Sequence, residues 1–241
     1  MKPRLPGFAV EVVDEVDSTN TELMRRARAG RTERVLLVAR EQTAGRGRLG
    51  RSWVSRRGES LTFSLGLPLA PADWSGLSLA VGVALAESLH PGVRLKWPND
   101  LWVADRKLAG ILIETASFDA ASASRYAVVG IGINIAPRAE AGLSTPAVGL
   151  QELDASLDAD AALERVAGPL AAALAAFEAW GFAPFQARFN ARDALRDREV
   201  ALSDGATGTA HGVSEAGALL VHTAAGMRAV TSAEVSVRPV P

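Results

Sequence analysis

The chain has 241 residues, 48% of them hydrophobic, with 26 basic against 27 acidic side chains and a formal net charge of -1. That balance supports one large domain, or one domain with a small appendage, and excludes disorder and any nucleic-acid or membrane role carried by bulk charge. There is no cysteine, no secretory signal in the proline- and acid-interrupted N-terminus and no run of about eighteen apolar residues; disulfides, thiolate metal sites and a cysteine nucleophile are excluded, no membrane helix is expected, and a cytoplasmic protein is the default.

Taken in order, residues 8–13 (FAVEVV) and 34–40 (RVLLVAR) are expected to form strands. The intervening STNTELMRRARAG is expected to be a helix: Thr19 and Glu22 stand at capping-box spacing, and Gly30 stands where a C′ glycine ends a helix. Residues 60–67 (SLTFSLGL) alternate like a half-buried strand, and 73–90 have the length and apolar content of a core helix. Strand-like segments follow at 93–97, 108–116 and 126–135, and the connections at 104–107 and 117–125 read as hairpin loops. Hairpins in place of helical crossovers favour an α+β fold, a mixed, mainly antiparallel sheet with helices packed on one side. Residues 137–157 read as irregular. A helix over 159–181 follows, which Pro169 should bend or split, then a shorter one from Pro184 to about Asp193. Beyond that point short β segments separated by DGAT, EAG and AAG predict a small closed barrel of about five strands, which places a domain boundary near residue 193.

The stretch QTAGRGRLGRSW, residues 42–53, carries the densest chemistry. Between residues 40 and 57 there are six arginines and one glutamate, a local charge of 6 − 1 = +5. A solvated loop or a weak RNA-binding tail accounts for charge alone. Neither accounts for a segment that follows a buried strand, has only Gly45, Gly47 and Gly50 as well-separated glycines, opens on neutral Gln42 and closes on Trp53. Glycines that let the backbone approach an anion, and arginines that fork onto phosphoryl or carboxylate oxygens, account for all of it. Mutual repulsion of the arginines predicts a loop that is mobile when empty and ordered by an anionic ligand. No Gly-Lys-Ser/Thr follows, so this is not a Walker A loop.

Four further stretches carry polar groups at strand or helix ends. In KWPNDL (96–101), Lys96, Asn99 and Asp100 are either an Asx-Pro turn with a satisfied lysine, or a phosphate counter-charge with an oxygen ligand for Mg²⁺. In DRKLAGILIE (105–114), Lys107 is either a hairpin surface lysine or a site residue, and Gly110 is a mid-strand glycine of the kind that marks a close approach. GIGIN (130–134) lacks the third glycine and the helix of a dinucleotide fingerprint; Asn134 is either a ligand contact or an ordinary turn residue. In DSTN (17–20), Thr19 reads as an N-cap, while Ser18 and Asn20 add hydrogen-bonding groups beside it. His90, His211 and His222 make no metal-ligand spacing.

DSTN, QTAGRGRLGRSW, KWPNDL, RKLAGILIE and GIGIN stand in the order and approximate spacing seen in biotin protein ligases, and together they resemble that family over about residues 14–135. HGVSEAGALLV resembles the small C-terminal SH3-like barrel of the same family. The resemblance implies a class II synthetase-like catalytic domain over 1–193 and a barrel domain over 194–241. It implies formation of biotinyl-5′-AMP and pyrophosphate from biotin and MgATP, then attack by a lysine of a biotin carboxyl carrier domain of a carboxylase. By motif, Ser18, Thr19, Asn20 and Gln42 would meet the polar ring of biotin. Gly45, Arg46, Gly47 and Arg48 would close over carboxylate and phosphate, with Arg46, Arg48 and Lys107 as the catalytic cations and Gly110 allowing close approach. Arg51, Trp53, Lys96, Asn99, Asp100 and Asn134 would serve the nucleotide, and Asp100 the metal. Leu49 replaces a second arginine found in many relatives, so that position is expected to be dispensable. Only seventeen residues precede Ser18, too few for the helix-turn-helix of repressor relatives, so no specific DNA binding is expected. A homodimer is compatible with the resemblance, and no edge-strand signal decides it. The rival readings are a lipoate ligase-like acyl transferase and a nucleic-acid-binding module built on the arginine loop.

Overall fold

The computed structural model describes residues 4–117, 123–137, 145–231 and 237–240. In chain order the elements are β1 (Ala9–Val16), α1 (Thr19–Arg28), β2 (Val35–Gln42), β3 (Ser60–Leu69), α2 (Leu77–Leu89), β4 (Arg94–Lys96), β5 (Asp100–Val103), β6 (Arg106–Ala116) and β7 (Arg125–Asn134). They continue with α3 (Ala159–Trp180), α4 (Ala183–Asn190), β8 (Glu199–Leu202), β9 (Thr207–Val213), β10 (Leu219–Thr223), β11 (Gly226–Val230) and β12 (Val237–Pro239).

The first seven strands form one sheet in the order β1-β2-β3-β7-β6-β5-β4. β1 and β2 pair in parallel across the α1 crossover, and the neighbours from β2 onward are antiparallel, with hairpins joining β4 to β5, β5 to β6 and β6 to β7. The expectation of helices on one side is corrected. Leu36, Val38, Phe63, Leu65, Val129 and Ile131 face α2 and α3, whereas Val35, Leu37 and Val128 meet Leu23, Met24 and Ala27 of α1 on the opposite face. For the same reason β3 is not half-buried: every residue from Ser60 to Leu67 is buried, since both faces of a central strand are covered.

Local chemistry sets the helix ends. The N-cap of α1 is Ser18, not Thr19; its hydroxyl accepts from the Thr21 amide at 3.4 Å, while Glu22 pairs with Arg26 at 2.8 Å instead of closing a capping box. Gly30, at φ +80°, takes the left-handed conformation that follows the helix end. α2 is apolar on nearly all sides because the sheet, α3 and α4 surround it. Pro169 does not split α3, which runs unbroken from Ala159 to Trp180.

The last five strands form a separate antiparallel sheet in the order β11-β10-β9-β8-β12. Five strands match the expectation, but among the described residues the end strands β11 and β12 do not pair, so closure of the barrel is not seen there. Residues 192–194 run alongside β4, with the Leu95 amide donating to the Arg192 carbonyl and the Ala194 amide to the Leu95 carbonyl, both at 2.8 Å. The chain thus covers the exposed edge of the large sheet as it enters the small one. No described helix is long and apolar enough to cross a membrane.

Phe63 lies fully buried at the centre of the α2/α3 face. Phe63→Ala is expected to lower the unfolding free energy by about 3–5 kcal/mol, read from the midpoint of a urea titration at unchanged m-value.

Candidate functional site

On the α1 face the three central strands set small residues side by side. Thr62, Gly132 and Gly110 form one row across β3, β7 and β6; Ser64, Gly130 and Leu112 form the next. Two of these glycines are required by what lies above them. A Cβ on Gly132 would fall 2.3 Å from the Trp53 ring, and one on Gly130 would fall 2.1 Å from Asn20 Oδ1. The rows are the floor of a cavity walled by the start of α1, the loop after β2, and the turn between β4 and β5.

One wall is neutral and hydrogen-bonded. The Thr19 amide and hydroxyl donate to Gln42 Oε1 at 2.8 and 3.1 Å, and Ser64 Oγ lies 2.7 Å from both Thr19 Oγ1 and Asn20 Oδ1. Asn20 Nδ2 donates to the Leu112 carbonyl at 3.1 Å and to Glu114 Oε2 at 3.0 Å. Asn20 is therefore a strut that clamps α1 to β6, with both ends of its amide engaged. Gln42 is held by its oxygen alone; its Nε2 donates to no described protein atom.

The arginine–glycine loop folds back on itself. The Trp53 amide donates to the Gly45 carbonyl at 2.8 Å and the Gly47 amide to the Arg51 carbonyl at 2.7 Å, closing a short turn at Arg48–Gly50. A Cβ on Gly45 would sit 2.3 Å from the Trp53 carbonyl oxygen, so this crossing needs glycine. At the tip Leu49 adopts φ 56° and is 72% exposed. Arg46 reaches Glu114 on β6 at 3.1 Å, and Arg48 reaches Asn99 Oδ1 at 3.3 Å.

A bulge delivers the key lysine. β6 pairs Leu101 with Ala109 but Trp102 with Lys107, so Leu108 is skipped. Strict alternation would put Lys107 on the core side with Ala109 and Ile111; the extra residue turns it to the cavity, while Leu108 and Ala109 both enter the core. Its Nζ meets Asp100 Oδ1 at 2.6 Å and stands 5.9 Å from the centre of the Trp53 ring. Lys96 has no carboxylate in salt-bridge range among the described residues and rests 5.6 Å from the Trp102 ring centre. Burial lowers its pKa to about 8, against the attraction of Asp100 and with added repulsion from Lys107, Arg51 and Arg238. Burial likewise draws the Arg48 guanidinium down, with Asp100 opposing and Arg51 assisting. Five cations (Arg46, Arg48, Arg51, Lys96, Lys107) thus face two carboxylates (Asp100, Glu114), a surplus of 5 − 2 = +3 around one cavity.

The sequence pattern of the biotin/lipoate A/B protein ligase family matches residues 12–134. The chain belongs to this family. The pattern of the biotin protein ligase C terminal domain matches residues 197–238. Among family relatives, the bifunctional ligase/repressor BirA of Escherichia coli is 37% identical over 246 residues, covering 98% of this chain and 76% of the relative. The biotin–[acetyl-CoA-carboxylase] ligase of Paracoccus denitrificans is 36% identical, covering 91% of this chain and 96% of the relative. The structure of Aquifex aeolicus biotin protein ligase in complex with biotin and ATP superposes with a TM-score of 0.82 at 31% identity, over 98% of this chain and all of that one.

Within this ligase-family fold, Ser18, Thr19, Asn20, Gln42, Arg46, Gly47, Arg48, Arg51, Trp53, Lys96, Asn99, Asp100, Lys107 and Gly110 line the one cavity. Gly45 stands behind it as the crossing point. Asn134 does not line it: its Nδ2 donates to the Lys107 carbonyl at 3.1 Å, and its buried Oδ1 has no partner among the described residues. Gly110 is less confining than the sequence suggests, since a Cβ there would be 3.3 Å from the mobile end of Lys107. The sequence reading missed Thr62, Ser64, Glu114, Gly130 and Gly132. For all of these but Glu114 the signal was present in SLTFSLGL and GIGIN, where small residues occupy every second position. Asp100, expected at a bend, opens the unforeseen strand β5. No group of three His, Cys, Asp or Glu side chains able to hold a metal occurs among the described residues.

Gly132→Ala is expected to lift Trp53 off the floor. Acrylamide quenching of tryptophan fluorescence should rise relative to the parent protein, and an unchanged quenching constant would show that the floor tolerates a methyl group.

Proposed function

We propose that the protein is an ATP-dependent biotin protein ligase, forming biotinyl-5′-adenylate and then transferring biotin to a lysine of a biotin carboxyl carrier domain, as expected of an acetyl-CoA carboxylase. The observation that carries this reading is the meeting, across one glycine floor, of a neutral hydrogen-bonding wall and a crowd of cations with too few carboxylates. A neutral, polar bicyclic ring with an anionic tail suits the first; a polyphosphate suits the second.

The chemistry follows from that division. A biotin carboxylate oxygen attacks the α-phosphorus of ATP, a P–O bond to the β-phosphate breaks, and pyrophosphate leaves. The difficulty is bringing two anions into contact, and fixed cations in a site shielded from water lower that barrier. Lys107, turned in by the bulge and free to exchange Asp100 for a phosphoryl oxygen, is placed for this; Arg46 and Arg48 close the loop over the same atoms. In the second step the carrier amine attacks the acyl carbon, AMP departs, and the amine loses its proton. Ser18, Thr19 and Gln42 orient the ring, Asn20 and Ser64 hold that wall in register, and Trp53, Arg51, Lys96 and Asn99 serve the nucleotide, while Asn134 acts from behind through the Lys107 carbonyl. An Mg²⁺ ion carried on nucleotide phosphates needs only one or two protein carboxylates. Asp100, in contact with Lys107, would be the carboxylate that holds it, and the ion would supply charge neutralisation to the phosphates. The domain division near residue 193 belongs to the same reading, with the large sheet as the ligase domain.

Mass spectrometry after mixing the protein with biotin and MgATP should show biotinyl-5′-AMP, and ATP–pyrophosphate exchange supported by lipoate but not by biotin would reject the assignment in favour of the lipoate branch. Lys107→Ala should slow adenylate formation by about 10²-fold or more, with biotin affinity changed far less. The pH dependence follows from Lys96. The protonated amine binds phosphate, its pKa in the free protein is about 8, and a bound anion raises it; ATP affinity should hold from pH 6 to 7.5 and fall above pH 8. In Lys96→Arg, where the charge persists, titration calorimetry should find that fall abolished.

A further inference from the structure

The turn that carries Lys96, Asn99 and Asp100 is held from behind by the small C-terminal sheet. Trp97, between Lys96 and Pro98, is fully buried, and its indole Nε1 donates to the carbonyl of Gly217 at 3.1 Å. Gly217 lies in the β9–β10 turn and takes φ +77°; a Cβ there would come 2.8 Å from Gly76 Cα, at the start of α2. That turn is itself braced. The Gly217 amide donates to the Ser214 carbonyl and the Ser214 amide to the Ala218 carbonyl, both at 2.9 Å, while Gln186 of α4 donates to the Val213 carbonyl at 2.8 Å. On the other side, Ser78 Oγ donates to the Pro98 carbonyl at 3.2 Å and Asn99 Nδ2 to the Ile111 carbonyl at 2.8 Å.

We infer that Gly217 is a positioning residue for the nucleotide half of the site: through the Trp97 indole it fixes the turn that presents Lys96, Asn99 and Asp100, so the C-terminal sheet is a structural part of that site. The physical ground is that Trp97, unlike Trp53 and Trp102, has an acceptor among the described residues for its buried indole N–H, the Gly217 carbonyl, and losing that bond is costly enough to tie the position of Trp97 to that of the turn. Rotating or shifting Trp97 moves its neighbours Lys96 and Asn99, whose chemistry depends on placement within a fraction of an ångström. Glycine is required at 217 twice over, by its left-handed backbone and by contact with Gly76. The biotin-facing wall of α1, β2 and β3 shares no described hydrogen bond with this assembly.

The inference rests on the proposed ligase reading, and the two are separated by assaying the parent protein first: no biotinyl-5′-AMP from it rejects the reading itself. The test compares Trp97→Phe, which keeps an aromatic side chain but loses the indole N–H along with part of the ring's volume, with Gly217→Ala, which displaces the acceptor. Each is expected to raise the KM for ATP roughly five- to tenfold, the equivalent of one hydrogen bond, while biotin affinity by calorimetry stays within about twofold. A loss of thermal stability with the KM for ATP unchanged would overturn the inference, because that is what a merely structural contact gives. A third measurement needs no variant to fold beyond the one used for assignment. In ¹⁵N-tryptophan-labelled protein the Trp97 indole resonance should shift on adding a non-hydrolysable ATP analogue and stay in place on adding biotin; a resonance indifferent to the analogue also overturns it.

Discussion

Three adjacent strands can support a buried ligand only where their side chains stand aside, and in this protein that condition is met on one face of β3, β7 and β6. Thr62, Ser64, Gly110, Gly130 and Gly132 lie in two registered rows, and the register comes from continuous antiparallel pairing. Shifting β7 by one residue against its neighbours would replace both glycines with isoleucine or valine on that face and close the cavity. Every other feature of the site uses the space so made: Asn20 descends onto Gly130, Trp53 onto Gly132, and the loop crosses itself at Gly45.

Charge is arranged on that floor as tension seeking an anion. Asp100 and Glu114 each hold one cation, Asp100 with Lys107 and Glu114 with Arg46. Lys96 is left half-buried, with its pKa lowered to about 8 chiefly by desolvation. A desolvated ammonium of this kind gains more from a phosphate than an exposed one does, because less water must be displaced and the local dielectric is low. The ion pair between Lys107 and Asp100 holds the lysine on the cavity side of β6, where, under the proposed function, a phosphoryl oxygen would compete for it.

The large sheet is not closed upon itself at the β4 edge. Residues 192–194 pair there, and the β9–β10 turn supplies the acceptor for Trp97. Edge protection and support of the β4–β5 turn thus come from two separate stretches, residues 192–194 and the β9–β10 turn, which together tie that turn to the C-terminal part of the chain.

Much of this was legible in the residues themselves. Alternation in 126–135, the hairpin signals, and the helix stop at Gly30 report local backbone preferences, and those act over a few residues. The five ordered motifs named the right family and most of the polar side chains that line the cavity, because the need for arginine, lysine, glycine or amide at a site shows in sequence as residues out of place for a core. What sequence alone did not decide depends on partners far along the chain. Whether the small face of SLTFSLGL met water or α1, and whether GIGIN was a turn or a floor, were settled only when β3 and β7 paired and α1 crossed over them. The side on which Lys107 points turned on one skipped residue, Leu108, and the orientation of Asn134 on a carbonyl of another strand. Those are tertiary outcomes because alternation along one strand fixes two faces without saying which of them a neighbour will cover.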